Sequence, residues 1–196
     1  MKTVAGADGK RRCHWCTATP EYVEYHDREW GLPVADDPRL FEKLCLEGFQ
    51  SGLSWRTILM KRDNFRAAFK DFDIDRVARF GARDVQRLLG DAGIVRHRGK
   101  IEAVINNARR ARELIAQEGS LAEFVWQQAP SHEGAAAFSK ELKRRGWKFV
   151  GPTTVYAFMQ AIGLVNDHAP DCDFHSKAET VGARVRRRFT KSAKRA

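Results

Sequence analysis

The sequence predicts an all-α protein. Apolar residues recur at spacings of three and four along most of its 196 residues, runs of alternating β-branched residues are missing, and Ser, Asp, Pro and Gly stand where helices should begin and end. With 43% hydrophobic and 10% aromatic residues, the chain can bury one sizeable core or two small lobes sharing an interface.

The first well-marked helix is "DDPRLFEKLCLEGF", with Asp37 as N-cap, Pro38 at the first helical position, and Leu40, Phe41, Leu44 and Cys45 on one side. Glu47 falls on that apolar stripe, and a carboxylate there calls for an explanation. A second helix runs from Ser54 to about Phe69 with Trp55, Ile58 and Leu59 facing inward. Short helices over 74–80 and 83–90 follow Asp73 and Ala82, and Gly93 supplies a left-handed stop. "RGKIEAVINNARRARELIAQEG" is a long amphipathic helix with Ile101, Val104, Ile105, Ala108 and Ile115 inward and Gly119 at its end; Ser120 and Glu123 then form a capping-box pattern. Residues 128–136 read as loop.

From Ser139 the order is helix, hairpin, helix: "SKELKRRG" closes at Gly146, "WKFVG" turns, and "PTTVYAFMQAIG" reopens at Pro152 and closes at Gly163. This resembles the helix-hairpin-helix element that grips a DNA backbone. Glycine beside a helix amino terminus, here Gly151, lets main-chain N–H groups approach a phosphate, and the positive dipole end favours the anion, with Lys148 or Lys143 adding charge. The same local pattern fits an ordinary αα-hairpin.

The formal charge is +10, but seven of the 35 basic side chains follow residue 183 and none of the 25 acids does, so the rest of the chain carries only +3. Residues 184–196 therefore read as a basic, disordered tail, either merely solvated or a non-specific anchor for nucleic acid phosphates. No run of 18 apolar residues marks a membrane span and the amino terminus lacks an apolar signal region, so the expected compartment is the cytoplasm.

Four cysteines in such a chain favour metal ligation or burial over a disulfide framework. Soft ligands concentrate at both ends, in "CHWC" at 13–16 with His26, and in "HAPDCDFH" at 168–175. A pair from each end would staple two distant segments around a tetrahedral zinc. Spacing leaves the early pair open between Cys13 with Cys16 and Cys13 with His26; His168 and Cys172, four apart, reach one metal from a single turn. The zinc deaminase and His-Glu-x-x-His signatures are absent, which points to a closed structural site.

"EYVEYHDREWG" and "GLSW" supply Tyr22, Tyr25, Trp30 and Trp55, with Trp15 just before them. Such density often means core packing. Flat rings with one carboxylate, however, also make a slot for a planar base, stacked on its face and hydrogen-bonded at its edge.

Taken together, "RCHWC", "PEYVEYHDREWG", "LFEKLCLEGFQSGLSW", "DAGIVRHRGKIEAVINNA" and "LKRRGWKFVGPTTVYAFMQAIGLVNDH", followed by Cys172, resemble the type I DNA-3-methyladenine glycosylases over about residues 12–174. The resemblance implies a helix-hairpin-helix glycosylase bundle, with one glycosylase domain over 1–183 that can divide into two helical lobes around the active site. It implies one structural Zn2+ held by Cys13, His26, His168 and Cys172, joining the N- and C-terminal segments, with Cys16 a bystander. It further implies base-edge contacts from Glu47 and Tyr25, stacking on Trp55, pocket walls at Tyr22 and Trp30, and Gln50, Gly52 and Leu53 filling the gap left by a flipped nucleotide. Lys148 and Gly151 would meet the DNA backbone.

The implied reaction is hydrolysis of the glycosidic bond of 3-methyladenine in alkylated double-stranded DNA, by a monomer needing no protein partner and no membrane. A cationic base explains the carboxylate: Glu47 and electron-rich rings bind it better than neutral adenine. Related glycosylases carry an Asp after the hairpin; Asp167 here reads first as a partner of His168, then as a helix cap, then as a distant electrostatic aid. Two departures from the family pattern, a short stretch between Phe124 and Ser139 and the basic extension from Arg184, touch no pocket residue. The rival readings are a zinc-stapled DNA-binding module without catalysis and a small-substrate zinc hydrolase.

Overall fold

The computed structural model describes residues 2–192, and most of them are helical. Strands β1 (Thr3–Ala5) and β2 (Arg11–Cys13) form an antiparallel ribbon with Thr3 opposite Cys13. A 3₁₀ turn (His14–Ala18) leads into α1 (Pro20–Arg28), followed by α2 (Asp37–Gln50), α3 (Trp55–Met60), α4 (Arg62–Ala68) and a second 3₁₀ turn (Lys70–Phe72). Then come α5 (Ile74–Ala78), α6 (Ala82–Gly90), the long α7 (Arg98–Glu118), α8 (Leu121–Trp126), α9 (His132–Arg144), α10 (Pro152–Ala161) and α11 (His175–Ser192). The helical class agrees with the sequence reading; the ribbon does not follow from it. Strands of three residues are too short to show alternation, and this pair is set by its turn, where Gly6 N–H donates to the Lys10 carbonyl at 2.8 Å.

The described residues fall into two compact units, one running up to Val34 and resuming at Met159, the other spanning Ala35–Phe158. In the second unit α2 is buried along its whole length from Leu40 to Phe49, and it packs on α3, α7 and α8. Phe49, Phe65, Phe69, Phe72 and Phe80 form a continuous run of ring contacts at 4.6–6.4 Å between centroids. The inner face of α7 is the predicted one, with Ile101, Val104, Ile105 and Ala108 buried.

Several boundaries differ from the sequence expectation. Asp36, not Asp37, caps α2, its side chain accepting from Arg39 N–H at 3.0 Å. Asp37 instead accepts from Leu121 and Ala122 N–H at 3.0 and 2.9 Å, so it serves the amino terminus of α8, where a carboxylate meets the positive end of the dipole. The helix expected to run from Ser54 to Phe69 is broken at Lys61 into α3 and α4. Gly93 does not enter the left-handed region; its N–H donates to the Asp91 side chain at 2.8 Å in a local turn. The stretch 128–136 is loop only as far as Ser131, whose hydroxyl accepts from Gly134 N–H at 3.0 Å and starts α9.

In the first unit, residues 184–192 are not a disordered tail but the second half of α11. An apolar stripe that the charge run obscured holds it: Ala178 and Phe189 are buried. Residues 193–196 lie outside the described residues. Among the described residues no helix is long and apolar enough to cross a membrane.

Candidate functional site

In the first unit, chain ends more than 140 residues apart in sequence converge on four side chains. Cys13 leaves the end of β2, His26 the last turn of α1, and His168 and Cys172 the connection between α10 and α11. Their ligand atoms all lie within 4.8 Å of one another and all four residues are buried. His26 Nε2 is 3.2 Å from His168 Nδ1; Cys172 Sγ is 3.6 Å from the former and 3.7 Å from the latter; and Cys13 Sγ is 3.9 Å from His168 Nδ1. A tetrahedral zinc with N ligands at about 2.05 Å and S ligands at about 2.3 Å would separate them by about 3.3 Å (N to N) and about 3.6 Å (N to S). Three of the four separations fall within about 0.1 Å of those edges, and Cys13 Sγ to His168 Nδ1 is about 0.3 Å longer. Two thiols and two imidazoles are also the donor chemistry that suits zinc.

The outward nitrogens fix the ring tautomers. His26 Nδ1–H donates to Asp27 Oδ1 at 2.9 Å, and His168 Nε2–H donates to the Trp30 carbonyl at 3.3 Å, so each imidazole turns a lone pair toward the cluster. Burial pushes His168 down to about 4 and lowers His26, which keeps both rings neutral, the form that can bind a metal. Asp27 is braced by Arg12, whose guanidinium reaches it at 2.8–3.0 Å and Asp8 at 2.7–2.8 Å. Burial alone would raise Asp27, but the bonds from Arg12 and His26 outweigh it and hold the carboxyl below its ordinary value.

Gly31 is required where it stands. Its φ is +75°, and an added Cβ would lie 2.7 Å from His168 Nε2. Cys16 is buried with its thiol pushed up to about 12 by desolvation, and it is not one of the four. Asp167 accepts from Gln160 Nε2 at 2.6 Å; the carboxylate bonded to a histidine of the cluster is Asp27. Sequence reading missed that role, although "YHD" sets Asp27 beside His26.

Around the cluster Trp15 gathers the aromatic residues of "EYVEYHDREW". Its ring meets Tyr22 at 5.7 Å, Tyr25 at 6.5 Å and Trp30 at 5.0 Å, all edge to face. Tyr25 and Trp30 are buried and Tyr22 is half-buried.

In the second unit Glu47 is 6% exposed. α2 holds a useful contrast one turn earlier, where buried Glu42 is met by Arg39 and Arg66, each at 2.8 Å. Glu47 has no ion-pair partner among the described residues. Burial pushes its carboxyl up to about 8, against a smaller downward pull from Lys43, so the resting side chain is mostly neutral at neutral pH. Trp55, half-buried, opens α3 behind the Ser54 cap.

Between these two residues runs the loop of Gln50, Gly52 and Leu53. Gly52 has φ +78°, the Leu53 N–H donates to the Gln50 carbonyl at 2.6 Å, and the Leu53 side chain is 43% exposed. The loop is anchored by a residue the sequence did not flag: Lys100 Nζ donates to the Phe49 carbonyl at 2.8 Å and to the Ser51 carbonyl, placing a cation on the negative end of α2.

The connection between α9 and α10 is held as firmly. Asn107 braces Lys148 at two points, donating to its carbonyl at 2.9 Å and accepting from its N–H at 2.8 Å, while Asn106 donates to the Gly146 carbonyl at 2.9 Å. The Ser139 hydroxyl donates to the Val150 carbonyl at 2.6 Å. The Lys148 side chain is left exposed, and the Gly151 carbonyl accepts the first helical bond of α10 from Val155 N–H at 2.9 Å.

Comparison with known proteins bears directly on this arrangement. A family model for methyladenine glycosylases matches residues 15–176. The DNA-3-methyladenine glycosylase 1 of Escherichia coli is 48% identical, over 82% of this chain and 95% of that protein. A crystal structure of 3-methyladenine DNA glycosylase I superposes with a TM-score of 0.77 at 49% identity, covering 84% of this chain and 99% of the other. A tyrosine-to-phenylalanine variant of such an enzyme in complex with 3-methyladenine gives 0.79 at 36% identity, covering 84% and 97%. Sequence and fold thus agree over nearly the full length of these relatives, and the chain belongs to the methyladenine glycosylase family.

Proposed function

We propose that the protein is a DNA base-excision repair glycosylase that flips 3-methyladenine out of alkylated duplex DNA and hydrolyses its glycosidic bond, leaving an abasic site. Family membership supplies the reaction class, and the observation that carries the assignment is the buried carboxyl of Glu47, which has no ion-pair partner among the described residues. Ionising that group at pH 7 costs about 1.4 kcal/mol when its pKa is about 8. A cationic base about 4 Å away returns about 4 kcal/mol at an effective dielectric constant of about 20. The balance favours ionisation against methylated adenine and leaves Glu47 neutral against ordinary adenine, so selectivity follows from burial.

In this reading Glu47 meets the base edge and Trp55 stacks on its face, and Tyr25, Tyr22 and Trp30 keep the base-contact roles that the family resemblance gives them. The positively charged base departs with the electron pair of the glycosidic bond and becomes neutral; water bonds to the anomeric carbon and loses a proton. Gln50, Gly52 and Leu53 occupy the vacated stack, an exposed apolar Leu53 on a braced loop being suited to that insertion. Lys148 and the main chain near Gly151 take up backbone phosphate.

Cys13, His26, His168 and Cys172 would hold zinc as a cross-link that supplies no reaction step, because four protein ligands would leave no open position. The chain acts as a monomer in the cytoplasm, without an obligatory protein partner. The test is release of free methylated base from alkylated duplex DNA. Release of 3-methyladenine by wild-type protein and its loss in Glu47→Gln, with DNA binding retained, support the reading. A folded, metal-replete wild type that binds DNA but frees no base would make it a binding module instead.

A further inference from the structure

The family match ends at residue 176, while α11 runs from His175 to Ser192, so this helix is almost entirely an addition to the shared fold. It is docked along its length. Asn166 Nδ2 donates to the His175 carbonyl at 3.2 Å and to Glu179 Oε2 at 3.0 Å, and Arg186 donates to the Leu164 carbonyl. Ala178, Gly182 and Phe189 fall on one buried stripe at helical spacing, and an added Cβ at Gly182 would come within 3.2 Å of the Gly163 carbonyl oxygen.

That stripe accounts for the packing and not for the other side. Arg184, Arg187 and Arg188 are exposed and stand at positions i, i+3 and i+4, so they share the solvent face. None of the three makes an ion pair among the described residues. The sequence adds Lys191, Lys194 and Arg195 and has no acid after Glu179. A solvated helix usually mixes signs, and like charges at these spacings cost a few tenths of a kcal/mol per pair. The negative end of the helix dipole offsets that only in the last turn, which does not extend back to Arg184.

We propose that the solvent face of α11 is an additional phosphate-binding surface for duplex DNA, acting without regard to sequence or damage. The choice of DNA as the polyanion rests on the glycosylase reading, and the surface raises residence on undamaged duplex during the search for lesions. It takes no part in recognising the methylated base.

The test compares full-length, metal-replete wild type with an Arg184→Gln, Arg187→Gln, Arg188→Gln triple variant on an undamaged duplex, by fluorescence anisotropy across a salt series. Three lost phosphate contacts lower the slope of log affinity against log salt by about 2.7, so wild-type affinity falls about 40-fold more than the variant's between about 50 and 200 mM salt. Lysine at the same three positions restores the steep slope. Base release at saturating alkylated DNA is unchanged in the glutamine variant. Equal slopes for wild type and a glutamine variant of unchanged helicity overturn the proposal, as does equal DNA binding with loss of binding to anionic phospholipid vesicles. Absence of base release by the wild type would overturn the glycosylase reading, whereas the slope on undamaged DNA judges α11 separately.

Discussion

Replacing Glu47 with Gln should abolish a loss of stability that wild type suffers as pH rises. Burial places the folded-state pKa of Glu47 at about 8, against an ordinary value of 4.5 in the unfolded chain. Between those values the folded protein holds a proton that the unfolded chain has released, so stability from this group is fully present below about pH 4.5 and is lost as pH rises through about 8. Integrated from about pH 5 to about pH 9, the loss is about 4 kcal/mol. Glutamine keeps the shape and has nothing to ionise.

The assay is reversible guanidinium unfolding of zinc-loaded wild type and Glu47→Gln at about pH 5, 7 and 9. Ligand protonation at the Cys and His cluster also changes with pH, but it is common to both proteins and cancels in their difference. The variant should therefore gain on wild type by about 4 kcal/mol across the range. Stability curves that stay parallel from pH 5 to 9 would mean that Glu47 has an ordinary pKa, and the selectivity argument built on its neutral resting state would fail with it.

The same ionisation should appear on binding. Duplex carrying an uncleavable cationic purine mimic at the lesion should release close to one proton per complex at about pH 7, read by calorimetry in buffers of different ionisation enthalpy; no buffer dependence would contradict it. Cys172→Ser should cut bound zinc and destabilise by about 3–5 kcal/mol, measured by metal analysis and unfolding, and full zinc stoichiometry would reject this ligand set. Asp27→Asn should weaken zinc about 10–100-fold in a competitive chelator titration while leaving the four ligands intact, and unchanged affinity would remove Asp27 from the site. Lys100→Met should cost about 2–3 kcal/mol by stranding the Phe49 and Ser51 carbonyls, and should impair base release more at low DNA than at saturation; a pure stability loss would leave the loop without need of its anchor.

Much of this was legible in the sequence for reasons that can be named. Helical periodicity located α2 and α7 because their apolar stripes are long, and the positive-φ glycines at 119, 146 and 163 fall where helices were expected to end. What could not be read depends on partners distant in the chain. Asp37 reads as the cap of its own helix because nothing local shows that it serves Leu121 and Ala122, 84 and 85 residues away. Lys100 looks like any basic residue on an amphipathic helix until α2 ends against it. The basic run after Arg184 hid its helix because Ala178, Gly182 and Phe189 are too small or too sparse to form a convincing stripe. Spacing also left the early metal pair open, since the choice between Cys16 and His26 turns on α1 bringing His26 Nε2 to the other donors while Asp27 holds the far side of the ring.

The Cys and His cluster proposed to hold zinc and the aromatic residues proposed for recognition share one stretch of backbone. Tyr25 precedes His26 on α1, and the carbonyl of Trp30 receives the hydrogen bond that orients His168. The His26 ring also stacks on Trp30, with centroids 6.0 Å apart and planes inclined by 21°. A ligand site that fixes both histidines therefore fixes the end of α1 and the turn after it, from which Tyr25 and Trp30 project. On this argument metal removal acts on base selection through position: chelation should lower discrimination between 3-methyladenine and neutral bases before it unfolds the chain. A chelated protein that keeps its fold and its full discrimination would show that α1 holds these rings by packing alone.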